Sequence, residues 1–296
     1  MTRLEPELTV AAAVAWATGA LRQAGVEGPE RDARILVSAA TSLDRVQLLS
    51  RSDLVLSAAQ KGRLEQVVNR RSRREPVSRI LGRRAFYGRE FEISPATLDP
   101  RPDSETLIDA ALRLLAEDDV SREARLRIID IGTGSGCLLV TLLAELPNAT
   151  GLGTDIGPEA LRLAKQNALG NEVADRAAWS LARSLEGIDG PFDLLIANPP
   201  YIPTDDIEGL APEVRDHDPR SALDGGFDGL DVYREMAGRL PAVVPEGWAL
   251  FEVGAGQALS VQDILTAETA LPSPPVVRVF RDLNGVDRCV AWKARY

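Results

Sequence analysis

Ile128-Ile129-Asp130-Ile131-Gly132-Thr133-Gly134-Ser135-Gly136 is an apolar run holding one acid that passes straight into alternate glycines. The run reads as a short buried strand, and the glycines let the backbone turn tightly and come close to a ligand ahead of a helix starting at Cys137. A small polar cofactor suits such a turn. A dinucleotide fingerprint would be G-x-G-x-x-G, and counting on from Gly132 and Gly134 its third glycine falls on Cys137. Outward from this stretch, strand-like and helix-like patterns alternate. Strands are expected at 126–131, 151–156, 192–197, 248–253, 276–280 and 288–292. Helices are expected at 137–146 and 158–169 and around 230–240 and 257–267. Alternation of this kind predicts an α/β fold, a mainly parallel sheet with helices on both faces. The last two strands are joined by 281–287 alone, too short for a crossover helix, so they are expected to close the sheet as an antiparallel hairpin.

The first ninety residues follow a different grammar. Val10, Val14, Ala17 and Leu21 repeat at helical spacing before Gly25. Pro29 opens a second helix, and Ser57 to Gln60 is a capping box leading to Leu64, Val67 and Val68. From 85 to 98 the period shifts, and Phe86, Tyr87, Phe91 and Ile93 around Gly88 predict a hairpin. The expected domains are therefore a helical one at 1–84, a hairpin linker at 85–100 and an α/β domain at 101–296.

Composition narrows the function. The chain has 296 residues, 45% apolar and 26% charged, as in an ordinary globular protein. Its longest charge-free run, residues 8–21, is shorter than a bilayer span, and the first seven residues carry no secretory leader, so a cytoplasmic, membrane-free protein is expected. Cys137 and Cys289 are too few for a disulfide framework, and His217 is the single histidine, so no metal site is expected. Net charge is −10, but residues 1–90 hold 16 Lys and Arg against 10 Asp and Glu. Arg70, Arg71, Arg73, Arg74, Arg79, Arg83, Arg84 and Arg89 suit either a solvated helix face or the docking of an acidic partner or RNA.

The motif with most chemical content is Asn198-Pro199-Pro200-Tyr201, directly after the strand at 192–197. Two prolines end a strand rigidly at its carboxyl end, where open α/β sheets bind ligands. The Asn198 side chain and the Pro199 carbonyl offer two acceptors for the two N–H bonds of a planar amino group. Tyr201 offers an aromatic wall to a flat substrate or a cation.

The glycine loop resembles that of S-adenosylmethionine-dependent methyltransferases, with Asp155 ending the next strand where a carboxylate can take ribose hydroxyls. With Asn198 to Tyr201 the pair resembles the amino-methyltransferases. Five further segments are similar to the release factor glutamine methyltransferases, which methylate the glutamine of the Gly-Gly-Gln loop of peptide chain release factors. These segments are Arg101 to Thr106, Pro212 to Arg220, Ala222 to Tyr233, Glu252 to Gly254 and Arg281 to Arg288. The resemblance covers nearly the whole chain and implies a Rossmann-like, seven-stranded methyltransferase domain after a small helical, substrate-docking domain and a hairpin.

It also implies roles. Asn198 and Pro199 would hold the substrate amide, with Pro200 and Tyr201 beside the glutamine chain. Gly132, Thr133, Gly134, Ser135 and Gly136, together with Asp155 and Asn198, would hold S-adenosylmethionine, released as S-adenosylhomocysteine. Asp130 would steady the loop or receive the donor's amino group. Arg101, Asp103 and Glu105 could order the linker, and Glu252 the sheet end. The expected partner is a release factor, met as a monomer, with no sequence-specific nucleic-acid contact. In one place the chain departs from the family: where an acidic and an aromatic residue usually meet the adenine, it reads Ala182-Arg183-Ser184, and Trp179 is the candidate replacement. The alternatives are a glutamine methyltransferase of a large-subunit ribosomal protein, a nucleic-acid amino-methyltransferase, which the acidic remainder of the chain opposes, and a non-catalytic binding module for the cofactor.

Overall fold

The structure is a computed structural model that describes residues 7–269 and 271–295. The amino-terminal stretch read for a leader lies, apart from Glu7, outside them. No helix among the described residues is long and apolar enough to cross a membrane. The chain divides into two compact units, one of Met1–Gly82 with Ala211–His217, the other of Arg83–Leu210 with Asp218–Tyr296.

The first unit is built from helices α1 (Val10–Gln23), α2 (Pro29–Thr41), α3 (Arg45–Ser50), α4 (Ala58–Ser72) and α5 (Val77–Leu81), with α9 (Pro212–Arg215). The Thr9 hydroxyl caps α1, and Gly25 lies just beyond its end at φ +69°. The capping box at Ser57 and Gln60 is present. A second one, at Asp44 and Gln47, starts α3, a helix too short to show a period. Leu21, Leu36, Val37, Leu64 and Val68 form the buried core.

Three arginines of the basic run before residue 90 are held in ion pairs, while Arg73 and Arg83 are exposed. Arg71 is buried and pairs with Asp32 and Glu213, both at 2.9 Å. Arg74 holds Glu213 at 2.7 Å, and Arg70 pairs with Glu75. Against the burial that raises it, Arg74 and Arg71 pull the Glu213 carboxyl down to about 2.

The second unit begins with the hairpin β1 (Arg83–Phe86) and β2 (Arg89–Glu92). The segment expected as a linker is part of this unit's core. Phe86 and Phe91 meet edge to face at 6.2 Å between centroids, and both are buried among the side chains of the sheet. Then follow α6 (Glu105–Glu117), β3 (Arg127–Ile131), α7 (Cys137–Glu145), β4 (Thr150–Asp155), α8 (Pro158–Gly170), β5 (Ala177–Leu181) and β6 (Leu194–Ala197). Beyond the segment given to the first unit come α10 (Asp231–Ala237), α11 (Leu240–Val243), β7 (Trp248–Glu252), α12 (Ala258–Ala267), β8 (Val276–Arg281) and β9 (Asp287–Lys293).

The seven-stranded sheet has the order β5-β4-β3-β6-β7-β9-β8, parallel except where β9 pairs with β7 and β8. Residues alternate between its two faces. Ile128, Leu194 and Ile196 enter one core with α6 and α7, while Ile129, Leu195 and Ala197 enter the other with α10 to α12. Each fully buried Leu or Ile contributes about 1.5–3 kcal/mol, so a sheet covered on both faces is held chiefly by this burial.

Strand order reverses between β3 and β6, and at such a switch the crevice beyond the carboxyl ends binds ligands. The register fixes what stands there. Ile131 is opposite Ala197, and Ala197 is opposite Phe251. The next residue on each strand, Gly132, Asn198 and Glu252, therefore stands in one row along the sheet's end.

Candidate active site

The loop after β3 is held by its own neighbours. Thr133 N–H donates to the Thr154 carbonyl at 2.8 Å, and the Thr133 hydroxyl donates to Asp130 Oδ2 at 2.6 Å. Gly132 and Gly134 lie at φ +69° and +54°, a backbone region that side chains disfavour. Asp155 joins two turns, since Gly134 N–H donates to its Oδ2 at 2.9 Å and Gly157 N–H to its Oδ1 at 2.8 Å.

A cavity of about 340 Å³ opens on this loop. Gly132, Thr133, Gly134, Ser135, Asp155, Asn198, Pro199 and Pro200 all line it, so the glycine loop and the proline turn share one space. A second cavity of similar size, about 320 Å³, lies by Tyr87, Asp109 and Arg122 and contains none of the expected residues.

Three expected site residues stand off the cavity wall. Asp130 is fully buried beneath the loop, where burial pushes its carboxyl up to about 7 and its Oδ2 accepts from the Thr133 hydroxyl. At Gly136 a Cβ would come within 3.0 Å of Ala164, so this glycine lets α7 start close against α8. Tyr201 turns away from the expected aromatic wall. Its ring lies against the Gly254 backbone, its carbonyl accepts from Gln257 Nε2 at 2.9 Å, and its hydroxyl is 3.5 Å from Glu252 Oε1. Burial pushes that phenol up to about 12.

The candidate replacement at the adenine end is corrected as well. The Trp179 ring packs in the α7 and α8 layer, where a Cβ on Gly153 would meet it at 2.5 Å, and it does not reach the cavity. In its place the wall carries Ile156, Ala182, Arg183 and Ser184. Arg183 pairs with Glu235 of α10 at 3.6 Å, and Ser184 Oγ, sealed from solvent, has no hydrogen-bond partner among the described residues. His217 does not line the cavity.

Several contributors come from the further segments that resembled the family. Arg101 and Ser104 both line the cavity, and Asp218 holds Arg101 at 2.5 Å. Asn198 Nδ2 donates to Ser104 Oγ at 3.2 Å. Glu252 is 2% exposed, and burial pushes its carboxyl up to about 7 although Ser104, Arg288 and Asn198 favour the charged form. Arg288 is itself held by Asp103 and Asp282, each at 3.1 Å. Glu105 Oε1 accepts the Tyr87 N–H of the hairpin turn at 2.7 Å.

Known proteins share both halves of this pattern. The family model of the PrmC N-terminal domain matches residues 12–82, and that of the methyltransferase small domain matches 103–211. The release factor glutamine methyltransferase of Bradyrhizobium diazoefficiens is 44% identical over 272 residues, 92% of this chain and 90% of that protein. Its counterpart in Rhodospirillum rubrum is 44% identical over 276 residues, 93% of this chain and 82% of that protein. The chain belongs to the release factor glutamine methyltransferase family. The crystal structure of the N-terminal domain of human METTL16 is similar in fold alone, with TM-score 0.52 and 16% identity over 96% of this chain and 94% of that one.

Proposed function

We propose that the chain transfers a methyl group from S-adenosylmethionine to the side-chain amide nitrogen of the glutamine in the Gly-Gly-Gln loop of peptide chain release factors. The observation that carries this reading is the single cavity shared by the glycine loop and Asn198-Pro199. The names of the full-length relatives support it. S-adenosylmethionine supplies the methyl group, as a sulfonium electrophile that departs as S-adenosylhomocysteine.

The residues present fit that cofactor. Gly132 to Ser135 line the cavity with little side-chain bulk and would hold the methionine end. Asp155 stands at the wall for the ribose, and the orphaned Ser184 Oγ gives the adenine end a polar partner. Asp130 keeps the loop in shape through Thr133.

An amide nitrogen is a poor nucleophile because its lone pair is shared with the carbonyl, so alignment must supply most of the acceleration. Asn198 Oδ1 and the Pro199 carbonyl accept the two N–H bonds of the glutamine amide and aim its nitrogen at the methyl group. Positioning of this kind can lower a barrier by about 7–11 kcal/mol. As the new bond forms, positive charge grows on nitrogen, acceptors fixed beforehand stabilise it without reorganising, and loss of one N–H proton to solvent then leaves the neutral N-methyl amide. Tyr201 braces the turn from behind. The helical unit at 1–82 docks the protein substrate, in the cytoplasm where release factors act.

The test is the intact mass of a release factor after incubation with this chain and S-adenosylmethionine, beside a Gln→Ala release factor. A gain of one methyl on the wild-type factor alone is expected. No gain on the release factor, but one on a large-subunit ribosomal protein, refutes the assignment.

A further inference from the structure

We propose that Glu252 is a positioning residue for methyl transfer, fixing through the Ser104 hydroxyl which way the Asn198 carboxamide faces. This rests on the reading that Asn198 Oδ1 accepts an N–H of the substrate. A carboxamide has two nearly isosteric faces, one accepting and one donating. Turned the wrong way, Asn198 would set its own N–H bonds against those of the substrate amide. In the structure Nδ2 points to Ser104 Oγ at 3.2 Å, and among the described residues no donor meets Oδ1.

A hydroxyl alone cannot enforce that orientation, because it both donates and accepts. Glu252 removes the ambiguity. It is sealed behind Ser104 and Asn198, and its ionised carboxylate can only accept. The Ser104 hydrogen is drawn to Glu252, which leaves a Ser104 lone pair for Asn198 Nδ2 and turns Oδ1 towards the cavity. Placement follows from the sheet, since Ala197 opposite Phe251 sets Asn198 level with Glu252. Among the described residues Glu252 Oε2 has no hydrogen-bond partner, and Oε1 meets only the Tyr201 hydroxyl, at 3.5 Å too long to hold the carboxylate by itself.

Protonation reverses the relay. A neutral Glu252 donates to Ser104, Ser104 then donates to Asn198, and the carboxamide turns its N–H bonds to the substrate. Turnover therefore rises with pH as Glu252 ionises. The groups facing it are Asp103 and Ser104 before α6, Asn198 and Tyr201 after β6, Tyr233 of α10, Arg288 and Cys289 of β9, and Cys137 of α7. Burial raises both tyrosines and both thiols far above neutrality. Asp130, buried and also raised to about 7, titrates in the same window.

The experiment compares the full-length wild type with Glu252→Gln, Ser104→Ala and Asn198→Ala, using a release factor as substrate. It reads kcat and KM from pH 6 to 9, cofactor affinity by calorimetry, and melting. Glu252→Gln is expected to lose about 10- to 100-fold in kcat, to keep KM and cofactor affinity within about twofold, and to lose the pH step. Should Glu252→Gln fail to fold, Ser104→Ala must show the same loss and the same flat profile. A Glu252→Gln enzyme with wild-type kcat, or one whose pH step survives and so belongs to Asp130, overturns the proposal. If Asn198→Ala turns over normally, the reading of the proline turn has failed and this inference with it; if Asn198→Ala is dead while Glu252→Gln is normal, only this inference fails.

Discussion

Replacing Asn198 by Ala separates catalysis from cofactor binding. The substitution removes one of two acceptors and leaves the other, the Pro199 carbonyl, fixed in a backbone stiffened by two prolines. Deleting one fixed polar group aimed at a developing charge costs about 10²- to 10³-fold in rate, equivalent to about 2.7–4 kcal/mol. The fold should survive, because the bond lost within the chain is a part-buried 3.2 Å contact to Ser104, worth about 1 kcal/mol. Cofactor affinity should change only a few-fold, since the glycine loop and Asp155 keep their own bonds. Single-turnover transfer of labelled methyl to a release factor measures the first quantity, and calorimetric titration with S-adenosylhomocysteine the second. Equal losses in the two, or a rate within about fivefold of wild type, would refute the division of roles between the two turns.

Three further outcomes follow from packing and charge. Arg71→Ala leaves Asp32, 2% exposed, without its buried partner. Breaking such a pair costs about 3–5 kcal/mol, so amide exchange in α2 and α4 should accelerate, and unchanged exchange would show that the pair is immaterial. Gly153→Ala drives a methyl to 2.5 Å from the Trp179 ring and 3.1 Å from Thr133 Oγ1. Such overpacking costs about 1–3 kcal/mol and should weaken cofactor binding, and adding Trp179→Leu should restore part of the melting temperature; no rescue would place the clash elsewhere. Asp130→Asn tests linkage. The native carboxyl is raised to about 7, above the ordinary value of about 4. The folded chain thus binds this proton more tightly than the unfolded one, and the group's contribution is complete below about pH 4 and lost as pH rises to about 7. Denaturant midpoints of Asp130→Asn should gain on wild type between those values, and a constant difference would refute the assignment.

The layers of the fold were legible because burial on both faces writes unbroken apolar runs. Ile128 to Ile131, Leu194 to Ala197 and Trp248 to Glu252 could be read directly as central strands. Edge elements were harder. Ala177 to Leu181 is half-buried at the sheet's end and has little pattern of its own. The hairpin at 83–92 looked like a linker because its local sequence is polar. Only the pair Phe86 and Phe91, facing inward together, makes it part of the core. The ion pairing of Arg71 in the basic run was hidden for a different reason. Its partners Asp32 and Glu213 are distant in sequence from Arg71, and ion pairing across such separations leaves no local trace.

The same distinction divides the site. Its two turns were readable because each is a contiguous string whose backbone does the work, glycines in one and prolines in the other. What braces them comes from single residues on separate elements, Ser104 before α6, Glu252 ending β7 and Arg288 near the start of β9, the last two brought level by the register of adjacent strands. Tyr201 shows the consequence. From the motif alone its ring is equally able to face the substrate or the interior, and the choice is made by Gly254, whose missing side chain leaves the space the ring occupies. The proline turn therefore holds its acceptors outward because the end of β7 and the turn after it offer, one strand away, a buried carboxylate to engage the polar atoms behind it and a glycine to receive the ring.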